Sequence, residues 1–186
     1  MSLEDLQRLG LSERQAQSID NYRSKGGRFR TKADFKKMYV VSDSLYERLE
    51  PFIDIPKVEL NSADTTALMT LRGIGPYYAG KIIECRGRLG GYYEVDQLLE
   101  IYRMDEERLG PIREGIRVDT SVVRRIDIWS LPEDSLVLHP YIGRNLARGI
   151  VRYRRVCDSA QWTAGDLLAG NVIDSAVFSS LRHYMK

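Results

Sequence analysis

The chemistry most legible in this sequence is the holding of a phosphate. Gly73-Ile74-Gly75 lies between an apolar stretch ending at Leu71 and a helical pattern opening at Pro76. Glycines at both positions permit backbone angles that other residues disfavour. Ile74 can drop between the flanking helices and fix their angle. Pro76 suits the first position of a helix, where its missing N–H would be unpaired anyway. The amides of Gly75 and of the following turn then face outward, and such a helix N-terminus holds a phosphate. A contact of this kind positions a nucleic acid without reading its bases. The candidate contacts here are Gly73, Ile74, Gly75, Tyr77 and Lys81.

A second pattern is a basic stripe. Arg144, Arg148, Arg152 and Arg155 follow one another at steps of four, four and three. On a helix they span an arc of about 80°, at about 100° per residue. Leu146, Ala147, Ile150 and Val151 take the opposite side. The stripe starts beside Ile142-Gly143, so it can extend a phosphate track along a nucleic-acid backbone; a charge run is otherwise a solvated face.

Other chemistries find few residues. The two cysteines, Cys85 and Cys157, form no CxxC pair, and the two histidines, His139 and His183, stand at no metal-ligand spacing. No Ser-His or Cys-His constellation and no two-metal carboxylate cluster is present. The expectation is a non-enzymatic chain with no cofactor, no metal and no catalytic residue. Composition is that of an ordinary globular protein, 43% hydrophobic and 29% charged over 186 residues. No apolar run approaches the roughly 20 residues that cross a bilayer, so no direct membrane insertion is expected.

The elements that position these residues repeat. Subtracting 63 from the Ala79-Ile82-Cys85-Arg86 positions gives Ala16, Ile19, Tyr22 and Arg23; adding 68 gives Ala147, Ile150, Tyr153 and Arg154. An aromatic precedes an apolar anchor by six residues in the pairs Phe29 and Phe35, Tyr92 and Leu98, Trp162 and Leu168. Each unit closes with apolar residues at i, i+3 and i+7: Tyr46, Leu49, Ile53; Leu109, Ile112, Ile116; Phe178, Leu181, Met185. Three tandem all-α modules follow, at residues 1–57, 58–122 and 123–186, each of about four helices. In the second, helices are expected near Ala63 to Leu71, from Pro76 to a break at Gly90-Gly91, over Val95 to Ile101, and over Asp105 to Ile116. Asn61 reads as the N-cap of the first of these. The matching cap of the first module would fall before residue 1, so that module reads as N-terminally truncated. Trp129 and Trp162 read as core anchors, and His139 as a surface or satisfied structural group.

The run Leu68 to Arg86 resembles the DNA-binding helix-hairpin-helix motif. With Leu60-Asn61-Ser62-Ala63 before it and Tyr92 and Leu98 after it, the unit is similar to the ComEA-type repeat of competence proteins. The resemblance implies an all-helical module that binds double-stranded DNA without sequence preference, in a family that acts in DNA uptake, often tethered to a membrane. It carries the hairpin role to Gly10, Leu11 and Ser12 with Arg14, and to Ile142 and Gly143 with Arg144. Departures are visible. Ser12 replaces one glycine and Tyr141 another. The second hairpins, Val40-Val41-Ser42, Arg103-Met104-Asp105 and Val172-Ile173-Asp174, lack the family's glycines, and Asp105 and Asp174 would repel a phosphate. These second hairpins are expected to be structural.

The net charge of +2 is uneven. Residues 1–57 carry 11 basic and 9 acidic side chains, residues 58–120 carry 8 and 11, and residues 121–186 carry 9 and 6. The best glycine hairpin thus lies in the most acidic segment. The alternative to DNA binding is therefore a structural or protein-interaction scaffold, a use the same fold has in an extrinsic photosystem subunit.

Overall fold

Ser, Thr and Asp at helix starts set the element boundaries. The computed structural model describes residues 2–159 and 162–186. The chain folds as two compact units, Met1–Val58 and Glu59–Lys186. It is mostly helical, with one two-stranded sheet, β1 (Val58–Glu59) and β2 (Ile116–Arg117).

The N-terminal unit holds α1 (Leu3–Arg8), α2 (Glu13–Ser24), α3 (Lys32–Lys36) and α4 (Asp43–Leu49). Ser2, Ser12 and Thr31 cap the first three, each in a reciprocal capping box with the residue three positions on. Leu6, Ala16, Ile19, Phe35, Val41, Leu45 and Leu49 form the core.

The second unit begins with α5 (Thr65–Leu68) and α6 (Pro76–Leu89), continues through a 3-10 segment at Val95–Glu100, and reaches α7 (Glu106–Leu109) with a 3-10 extension over Gly110–Gly115. It then runs through α8 (Glu133–Leu136), α9 (Arg144–Val156), α10 (Ala164–Ala169) and α11 (Ser175–Leu181). The order of α8 to α11 follows that of α1 to α4. The fourth residue after each cap carries the packing: Leu6, Leu68 and Leu136 in the first helices, Ala16, Ala79 and Ala147 in the second, all buried.

Four local features differ from expectation. The first helix of the second segment is capped by Asp64, whose side chain accepts the Ala67 N–H, not by Asn61. Asn61 instead ties distant strands of chain: its Nδ2 donates to the Tyr92 and Asp119 carbonyls and its Oδ1 accepts the Tyr92 N–H. Ser2 caps α1 at the same distance from Leu6 as Asp64 from Leu68, so the cap expected before residue 1 is present at Ser2. In the last segment the buried anchor is Leu167, four residues after the cap Thr163, and Leu168 is only half-buried. The long fourth helices are short α turns followed by tighter 3-10 or extended chain, since Ile116 already belongs to β2.

Within the second unit, residues 59–122 and 123–186 share a polar network. Gln97, buried, donates through Nε2 to the hydroxyls of Tyr141 and Tyr184, each at 2.8 Å. Its Oε1 accepts the N–H groups of Tyr93 and Glu94. The Tyr141 hydroxyl donates to Glu100 Oε1, and the Tyr184 hydroxyl donates to the Gly91 carbonyl. Every buried polar group of this set is paired, the condition under which such a network rigidifies a joint. The Arg124 N–H donates to the Gly90 carbonyl across the joint, and Ile126 and Met185 form a parallel bridge within 123–186. Trp129 and Trp162 are half-buried and stack at 5.9 Å, and Trp129 packs on the core.

His139 lies at this joint, 5% exposed, with its ring beside those of Tyr141 and Tyr184. Its Nδ1 accepts the Tyr141 N–H. Burial pulls its pKa from 6.5 down to about 4. The unfolded chain therefore binds a proton that the folded chain refuses. The neutral-histidine contribution is full above pH 6.5 and is lost as the pH falls towards 4. Repeat alignment places Leu71 where His139 stands. His139→Leu is expected to remove part of the acid sensitivity of the second unit, read as urea-unfolding midpoints from pH 7 to pH 4; identical pH profiles for both proteins would refute this.

Candidate nucleic-acid interface

The three first hairpins are built on one plan. Leu11, Ile74 and Ile142 are each buried; the Leu11 N–H bonds back to Leu6 in α1, and those of Ile74 and Ile142 to Leu71 and His139 in the turns after α5 and α8. Their side chains set the angle between α1 and α2, α5 and α6, α8 and α9, and have no surface to offer a ligand. Of the predicted contacts, these three contribute hairpin geometry alone.

Gly10 and Gly73 have φ of +84° and +82°, where a side chain is strained. Gly75 differs from expectation. Its φ of −92° with ψ of −177° is ordinary extended backbone, open to any residue. What its lack of a side chain provides is access, since a Cβ there would meet nothing within 4 Å, and the same holds at Gly143.

The caps decide which amides remain. At Ser12 the hydroxyl accepts the Gln15 N–H and the Gln15 carboxamide accepts the Ser12 N–H, so two amides at the start of α2 are paired from within. Gly75 and Gly143 give α6 and α9 no side-chain cap. The first-turn amides of these two helices, including those of Tyr77 and Tyr78, point out of the helix end. The helix dipole places partial positive charge at the same ends.

Tyr141, which stands where the second segment has Gly73, sends its ring into the Gln97 joint. That substitution diverts part of the third hairpin to packing while leaving Gly143 open.

The charged candidates separate. Arg144, Arg148, Arg152 and Arg155 are all exposed on α9, with Ala147 and Ile150 buried on the other side. Arg148 also meets Glu133 at 3.3 Å, an exposed pair that contributes little to stability and screens easily. Lys81 is paired with Glu84 at 2.7 Å, and this carboxylate raises its pKa. Arg14 is exposed beside Ser12, and Tyr77 is exposed with its ring edge-on to Tyr78.

Other participants carry no local sequence signal. Arg48 of α4 lies over the first hairpin and donates to the Gly10 carbonyl at 3.2 Å. The Gln15 carboxamide donates to the Val40 carbonyl, and the Tyr78 hydroxyl donates to the Arg103 carbonyl, both at 2.9 Å. Gln15 and Tyr78 are repeat equivalents, as are Val40 and Arg103, so first and second hairpins are laced alike in both segments. Asp105 and Asp174 cap α7 and α11, which gives the second hairpins a structural task for their acids. Arg103 and Arg108 lie over the rings of Tyr102 and Tyr78.

Arg86 and Arg154 hold backbone carbonyls, at Leu60 and Ala63 and at Leu131. Burial pushes the Cys85 thiol pKa up, away from a reactive thiolate. Among the described residues no group of His, Cys, Asp and Glu could hold a metal ion, and no helix is long and apolar enough to cross a membrane.

A family model for the helix-hairpin-helix motif matches residues 1–54 and, again, residues 54–117. Residues 118–186 lie outside both matches. No curated protein and no solved structure matches the chain.

The two glycines of the second hairpin have separable tasks. Gly73→Ala is expected to cost about 1–2 kcal/mol through its left-handed backbone. Gly75→Ala is expected to stay within about 0.5 kcal/mol of the parent, because neither angle nor space opposes it. Urea unfolding of the two variants checks this, and equal losses would refute it.

Proposed function

Since the chain belongs to the helix-hairpin-helix family, whose motif commonly binds nucleic acid, we propose that it binds double-stranded DNA without catalysis and without sequence preference. The observation that carries this is the pair of uncapped, side-chain-free helix starts at Gly75 and Gly143, the second continued by four exposed arginines on α9. Backbone amides grip phosphates and arginines extend the track; neither reads a base. The ComEA-type pattern of the sequence supports a place in DNA uptake.

A scaffold role is the second reading. It is favoured by the internal capping of Ser12, by the diversion of Tyr141 into packing, and by the 11 acidic against 8 basic residues of 58–120.

Fluorescence anisotropy with a mixed-sequence duplex of about 30 base pairs, from about 25 to 200 mM salt, separates the two. With about 3–6 phosphates engaged, log affinity is expected to fall with log salt at a slope of about −3 to −5. Arg148→Glu with Arg152→Glu, and separately Gly75→Glu, are expected to weaken binding at least tenfold. Absence of binding at the lowest salt would overturn the DNA reading and leave the scaffold.

A further inference from the structure

The most basic stretch of the chain is not at a first hairpin. Seven of the fifteen residues 23–37 are Lys or Arg, and one, Asp34, is acidic. Lys32 and Lys36 are engaged with Glu50 and Asp43. Two others, Lys25 and Lys37, line an open groove of about 670 Å³ in the N-terminal unit.

This groove lies between the C-terminal half of α2 and the turn from α3 into the second hairpin. Tyr22, Tyr39 and Ser18 line it with the two lysines. Tyr39 is 83% exposed, so its ring is open to a ligand. Ser18 donates to its hydroxyl at 3.0 Å, which tethers the ring beside α2. Tyr22 is braced by Phe29 at 5.1 Å and by its hydroxyl bond to the Arg28 carbonyl. Rings restrained in this way lose little entropy on taking a ligand. Asp34 also lines the groove, but its carboxylate accepts the N–H groups of Arg30 and Thr31 and so belongs to the α3 cap.

Two restrained aromatic faces flanked by ammonium groups form the combination that holds unpaired bases and their phosphates. A duplex keeps its base faces stacked inside and cannot use such a surface. An acidic peptide would match the lysines but leave the exposed rings without a flat partner. We propose that this groove binds single-stranded nucleic acid, with bases against Tyr39 and Tyr22 and phosphates on Lys25 and Lys37. The site is independent of the uncapped helix starts at Gly75 and Gly143, which lie in the other unit.

The test uses the full chain and a labelled oligothymidylate of about 12 nucleotides, read by anisotropy at about 50 mM salt beside the duplex. Tyr39→Ala is expected to weaken the oligothymidylate about fivefold or more and to leave the duplex within about twofold. Tyr39→Phe, which keeps the ring, is expected to retain most of the affinity. Lys25→Glu with Lys37→Glu is expected to lose at least tenfold. All these side chains are exposed, and thermal unfolding confirms that the variants fold. No oligothymidylate binding at about 25 mM salt would overturn the proposal while leaving duplex binding to stand or fall by itself. A Tyr39→Ala protein that binds the single strand as well as the parent would also overturn it.

Discussion

Each first hairpin depends on one apolar side chain held between two helices. Leu11, Ile74 and Ile142 occupy that place and are almost fully buried. Removing a side chain of this size from water contributes about 1.5–3 kcal/mol, a large share of the stability of so small a core. The neighbouring backbone obeys that demand. Gly10 and Gly73 turn left-handed to bring the apolar residue inward. The next residue becomes the extended cap of the following helix, and the helix start is turned outward as a consequence. The amide array is therefore a by-product of core packing, which lets the same hairpin serve as a binding element or as plain scaffold.

The cap then decides between those uses. The capping box at Ser12 takes up the Ser12 and Gln15 amides, while Gly75 and Gly143 give their helices no side-chain cap. Tyr141 shows a further option, in which a hairpin residue is recruited to join two segments. Its hydroxyl belongs to a network that includes a buried amide, two buried or half-buried phenols and a carboxylate at Glu100. Because Gln97 satisfies both phenols and two backbone amides at once, residues 59–186 hold together as one unit.

Electrostatics follow local density, not net charge. A total of +2 over 186 residues would attract no polyanion by itself. Successive arginines of α9 stand three or four residues apart, about 4.5–6 Å of helix rise, inside the screening length of about 8–10 Å, and Lys25 and Lys37 line one groove with Tyr39. Acidic residues such as Asp105, Asp174 and Asp34 are absorbed by helix starts, which lowers their effect on an approaching phosphate.

What the sequence by itself determined was local. The helix from Pro76 to Leu89, the break at Gly90, the buried residue in each hairpin and the all-helical class rest on backbone preferences and periodicity spanning a few residues. Tertiary structure decided the rest, because each deciding contact joins residues far apart in the chain. Arg48 reaches Gly10, Asn61 leaves its expected cap for Tyr92 and Asp119, and Gln97 finds Tyr184. The Leu167 anchor also escaped the six-residue spacing, since the distance to the cap at Thr163, not to an aromatic, sets which side of α10 is buried. Likewise Lys25 and Lys37 follow different helices, α2 and α3, and only the folding of the N-terminal unit makes them walls of one groove. Turn and cap chemistry is written in neighbouring residues, whereas the pairing of distant ones depends on shape and burial that no short stretch of sequence contains.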